Sequence, residues 1–149
     1  MLKPTLFLRI AAVVAFAHAV LHTIGGVFGD LGPGPAATAV QAMKVNQFPL
    51  LGHARSYWDF YRGFGLAVTI FLTVEAVVFW QLGSLAKTEA RPPLRPILVA
   101  FLIGYAALAV NSYAYFFVGP VIAEVLIVAC LVLAVATRGR PEARQDNFR

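Results

Sequence analysis

The sequence predicts an all-α integral membrane protein: an antiparallel bundle of four spanning helices, capped on the outer side by a loop with a short helix. Three observations predict it. Four long apolar stretches, at about residues 5–28, 57–82, 96–118 and 120–137, are each bounded by Pro, Gly or charge. Each has about the ~20 apolar residues that a helix needs to cross a bilayer. Of the 149 residues, 60% are hydrophobic and only 13% charged, with mean hydropathy +0.76; soluble domains hold roughly 45–50% apolar residues. Lys and Arg are also divided unevenly between the two sides that four spans define. The N-terminus, the 83–95 loop and the C-terminal tail carry nine (Lys3, Arg9, Lys87, Arg91, Arg95, Arg138, Arg140, Arg144 and Arg149), and the other side carries three, Lys44, Arg55 and Arg62. Positive charge stays inside, so both termini are expected in the cytoplasm. The net charge of +5 is then explained by topology and anionic headgroups. Nucleic-acid binding is excluded, since no basic patch interleaved with aromatics lies outside the spans. The chain reads as one transmembrane domain over residues 1–149.

The first span opens after Pro4, which is tolerated in a first helical turn. Its alanines (Ala11, Ala12, Ala15, Ala17, Ala19) permit close helix contact in lipid. Ala17-His18-Ala19 imitates a signal-peptidase site, but the apolar run continues to Phe28, so the span reads as an uncleaved anchor. Gly25-Gly26 and Gly29 end it. Asp30-Leu31-Gly32-Pro33-Gly34-Pro35 marks a turn. Residues 36–47 read as a short helix, with Val40 and Met43 on one face and Lys44 elsewhere, and residues 30–55 as an outer hairpin. Ser56 and Asp59 form a capping box that starts the second span. Tyr57, Trp58 and Tyr61 suit the aromatic belt at a membrane interface. Pro92, Pro93 and Pro96 set the start of the third span. Val118-Gly119-Pro120 is read as the link to the fourth, short enough to force a helical hairpin. The tail from Gly139 to Arg149 reads as charged, with disorder expected at its end. Cys130 is a lone thiol, read as a packing residue.

Ionisable residues inside a membrane are costly and mark sites. His18 and His22 are four apart, so both imidazoles share one helix face. They are candidates for acid/base chemistry with Glu124, a carboxyl about one turn into the fourth span. Helix-packing histidines are the plainer alternative, and so is the reading of Glu124 as a first-turn residue. Asp59 and Arg62 are candidates to position a polar or anionic ligand group; otherwise Asp59 caps the helix and Arg62 pairs with it or snorkels to headgroups. Asn111, with Tyr115 on its face, is a hydrogen-bonding candidate that also suits helix association. Tyr61 joins the ligand-binding candidates. All these residues fall at one expected depth, in the outer half of the spans. Glu75 is the exception, with no partner assigned. No metal ligand set and no cofactor is assigned.

Arg55-Ser-Tyr-Trp-Asp-Phe-Tyr-Arg-Gly-Phe-Gly-Leu66, with Met43, Gly52, the histidine pair and the Tyr-Phe-Phe before Pro120, resembles a group of small bacterial four-span membrane proteins. The resemblance implies this topology in a bacterial inner membrane. In architecture alone the chain is similar to four-helix membrane sterol isomerases. The leading expectation is a protein that binds a small lipid-soluble molecule entering from the bilayer, with proton transfer as the reaction if it is catalytic. The alternatives are an accessory subunit against a membrane-protein partner, a homo-oligomer, and a metal or haem carrier using His18, His22 and His53. A transporter fits less well, because no Gly/Pro break interrupts matching mid-membrane segments.

Overall fold

The protein is mostly helical. A computed structural model describes residues 3–30, 32–87 and 94–138. In chain order the elements are α1 (Pro4–Leu21), a wider helical turn (His22–Val27), α2 (Pro35–Val45), β1 (Gln47–Leu50), β2 (His53–Ser56), α3 (Tyr57–Leu85), α4 (Arg95–Tyr115) and α5 (Val118–Arg138). Four helices, Pro4–Val27, Tyr57–Leu85, Arg95–Tyr115 and Val118–Thr137, are long and apolar enough to cross a membrane. A helix satisfies its own backbone, which is why it can do so. Only 17–28% of the most apolar stretch of each is buried within the protein. Most of each helix therefore presents apolar side chains outward, such as Val13, Phe71 and Val110, as contact with lipid requires. Pro92, Pro93, Arg91 and the tail from Gly139, on which part of the charge asymmetry rests, lie outside the described residues.

The chain divides into two compact units. The first comprises Met1–Ala15 and Glu75–Arg149. Its core is built from Leu8, Ala11 and Ala15 of α1, Phe79 of α3, Leu98 and Tyr105 of α4, and Ile127, Leu131 and Ala134 of α5. The alanines remove bulk where backbones approach, and Phe79 fills the space between. Its ring sits edge-on to Phe101 at 4.9 Å and 5.8 Å from Tyr105. Arg9 places its guanidinium carbon over Trp80, 3.5 Å from the ring centroid, while its Nη2 donates to Ser84 Oγ at 2.9 Å. Its aliphatic stem stays apolar and its charge gains a ring face. The helices α4 and α5 pack together across the Phe116-Phe117 link. That link is shorter and earlier than the expected 118–120, because α5 begins at Val118 and takes Pro120 into its first turn. Proline is tolerated there because the first N–H groups have no intrahelical acceptor.

The second unit is Phe16–Val74. It contains a feature missing from the all-α expectation. Residues 47–56 form a two-stranded antiparallel hairpin, with Phe48 opposite Arg55 and Leu50 opposite His53. The two turn residues, Leu51 and Gly52, have φ of 50° and 83°. Positive φ at both central positions is what a two-residue type I′ turn needs. Glycine accepts this freely, whereas leucine does not. Leu51 is 94% exposed, so its side chain contributes no packing. Leu51→Asn is therefore expected to stabilise the hairpin by roughly 1 kcal/mol, the scale of the left-handed penalty for an ordinary residue. Slower amide hydrogen exchange across β1 and β2 would register it. Phe48 anchors the hairpin by stacking on Phe60 at 6.0 Å and packing on Tyr57 at 5.1 Å.

Candidate functional site

Helix α3 starts where the capping box places it. Asp59 N–H donates to Ser56 Oγ at 3.2 Å, and Ser56 N–H donates to Asp59 Oδ2 at 2.8 Å. The Ser56 hydroxyl also donates to Oδ2 at 2.9 Å. Asp59 is thus occupied as a cap. Arg62 does not pair with it. Its guanidinium lies over Phe28, 4.7 Å from the ring centroid.

The end of α1 is unusual. The Phe28 N–H reaches back five residues to Thr23 O at 3.1 Å, giving the wide i→i+5 ring of a π-helix over His22–Val27. Such turns recur at functional positions. Polar side chains fasten this one to α3. His22 Nε2 lies 3.1 Å from Gly65 O. A carbonyl only accepts, so Nε2 carries the proton. Thr23 Oγ1 donates to Ala19 O at 2.7 Å and lies 2.9 Å from Thr69 Oγ1. Tyr61 Oη donates to Gly26 O at 3.0 Å. Close approach here depends on glycine: a Cβ on Gly65 would meet Val27 Cγ2 at 2.9 Å. His18 stands edge-on to His22, ring centroids 6.5 Å apart. Its Nδ1 is buried without a partner among the described residues.

Beside this turn is a half-open cleft of about 430 Å³. Phe28, Asp30, Gln41, Lys44, Trp58 and Arg62 are among the residues that line it. Lys44 Nζ lies over Trp58, 4.8 Å from the ring centroid, and Trp58 stacks on Tyr61 at 5.2 Å. Both cations therefore rest on aromatic faces rather than on carboxylates. The helix α2 turns Ala37, Val40, Gln41 and Lys44 toward the cleft, not the Val40–Met43 stripe expected from hydrophobicity.

No protein-family profile, curated protein or solved structure matches this chain. Chemistry must be read from the residues themselves. Among them, no group of three or more described His, Cys, Asp or Glu side chains is arranged to hold a metal ion.

The remaining candidates belong to the other unit. Glu124 is 5% exposed, and Ser112 Oγ donates to its Oε1 at 2.8 Å. The Oε2 atom is buried without a partner among the described residues. Asn111 and Tyr115 lie on the exposed surface of α4. Their neighbour Ser112 holds the inward position instead. Glu75 has the partner that the sequence left unassigned: Tyr105 Oη donates to its Oε2 at 2.6 Å. The structure thus brings His18 and His22 together, joins Tyr61 to the wide turn, and sets Arg62 in the cleft. Sequence reasoning missed Phe28, Gln41, Lys44 and Trp58 as cleft residues. The available signal was the i, i+3, i+4, i+7 face of α2 from Ala37 to Lys44.

Proposed function

We propose that the cleft beside the π turn binds a small lipid-soluble molecule with an anionic head, such as a long-chain carboxylate. The observation carrying this reading is the pair of cations, Lys44 and Arg62, each held on a ring at the wall of a cleft of about 430 Å³. Ligand pockets typically span about 300–1,000 Å³. A cation over an aromatic face keeps its N–H groups free for an anion while the ring fixes its position. Phe28, Val27 and Val40 supply an apolar wall for the tail. Asp30 leaves the cleft with a net charge of one positive unit, suited to a monoanion. His22 acts on the cleft indirectly, by fastening the turn that carries Val27 and Phe28.

The same reading places four spans in an antiparallel bundle in a cell membrane. The α2 and hairpin segment would cap its outer side, with both termini in the cytoplasm. The wide exposure of the spans also suits a further copy or a partner helix in the bilayer.

The test is equilibrium binding of a spin-labelled fatty acid and its methyl ester to the protein in nanodiscs. The acid should bind more tightly. Arg62→Gln and Lys44→Gln should each weaken the acid by about tenfold, the scale of one charge-assisted hydrogen bond. They should leave the ester unchanged. Equal affinity for acid and ester, or no effect of either substitution, would reject the assignment.

A further inference from the structure

Glu124 belongs to the unit built from Met1–Ala15 and Glu75–Arg149, whereas the cleft residues belong to the other. It lies six residues into α5, about 9 Å along the helix at 1.5 Å per residue. We propose that Glu124 is a proton-binding site inside the membrane, with the proton on Oε2. This inference is independent of the cleft assignment.

The geometry divides the two oxygens. Oε1 accepts from the Ser112 hydroxyl at 2.8 Å, which is the role of a carbonyl oxygen. Oε2 is buried and has no hydrogen-bond partner among the described residues. An ionised carboxylate with one bare oxygen, sealed from water, lacks the hydrogen bonds or counter-charge that a buried charge needs. No cationic group contacts Oε2 among the described residues. A proton needs no space. Among the described residues no cationic side chain pairs with the carboxyl. From α4 come Ser112 and, within electrostatic reach, the phenol of Tyr105. From α3 comes Glu75, held by that same phenol. The buried residues of α1 in this unit are Phe7, Leu8, Ala11, Ala12 and Ala15, all apolar. On α5 itself the next titratable side chain described is the buried thiol of Cys130. Two carboxylates bearing on one phenol would repel in a low-dielectric interior. A proton on Glu124 removes that repulsion and leaves Glu75 free to accept from Tyr105.

Infrared spectroscopy of the protein in an ester-free maltoside detergent reads the proton directly. An un-ionised carboxylic acid shows a carbonyl stretch apart from the amide and carboxylate bands. At neutral pH the native protein should show this band. It should shift in heavy water, be lost in Glu124→Gln, and be retained in Glu75→Gln. Native and Glu124→Gln spectra that coincide in the acid-carbonyl region would overturn the proposal. Should Glu124→Gln fail to fold, Ser112→Ala decides. The band should persist and move to higher frequency as Oε1 loses its donor, and an unmoved or absent band would overturn the proposal.

Discussion

Replacing Tyr105 by alanine should destabilise its unit by about 3–5 kcal/mol, the range for deleting a large buried aromatic side chain. Tyr105 is 1% exposed and lies among Phe79, Leu98 and Ile127 in the core. The substitution opens a cavity beside Phe79 and also strips Glu75 Oε2 of its donor. Tyr105→Phe separates the two effects. It keeps the ring and its 5.8 Å contact with Phe79, so only the hydrogen bond is lost. The expected cost is about 1 kcal/mol, the net worth of a hydrogen bond whose acceptor is half-buried. Tyr105→Phe combined with Glu75→Leu should recover part of that loss, since removing both partners removes the orphan. Reversible unfolding in mixed micelles would measure all three. A Tyr105→Phe variant as stable as the native chain would show that Glu75 takes another donor.

The second large effect should come from Gly65. Its Cβ position is 2.9 Å from Val27 Cγ2, and its carbonyl accepts from both His22 and Thr69. Gly65→Leu drives a branched side chain into the wall that the π turn presents to α3. Overpacking of this kind costs about 1–3 kcal/mol. The functional loss should be larger than the stability loss, because Val27 and Phe28 are carried by that turn. Binding of the spin-labelled acid should disappear in Gly65→Leu, while Gly65→Ala should retain a reduced affinity. Undiminished binding in Gly65→Leu would mean that the cleft is shaped without the turn.

How much of this was legible in the sequence follows from the range of each interaction. The four long apolar helices depend on composition over twenty residues, and they appear within a few residues of their expected limits. The capping box depends on residues three apart, and Ser56 and Asp59 make it. The π turn depends on Gly65 and Thr69, more than forty residues away, so no local pattern could announce it. The hairpin went unseen because leucine stands where Asn or Asp would have signalled a type I′ turn. On α4 the more polar Asn111 drew the assignment, yet Ser112 is the residue turned inward. Helix rotation, set by packing against α5, decides between neighbours that composition cannot separate. Glu75 found its donor in Tyr105, whose phenol reads from sequence as just one more aromatic in an apolar span.

The wide turn at His22–Val27 also alters the phase of everything after it. In a regular helix each residue advances about 100° around the axis, so a wheel drawn from Pro4 assigns every position a direction. An i→i+5 ring from Thr23 to Phe28 holds one residue more than that count allows. Beyond Thr23 the wheel is out of step. Side chains that it would assign to one face belong to the next, and Phe28 is found beneath Arg62 at the cleft. The surplus residue works as a phase shifter. A lipid-facing repeat serves α1 for its length, and a different set of directions is presented where the chain leaves the apolar region. Deleting one of Gly25 and Gly26 would restore the regular count and rotate Phe28 away from the cation it carries.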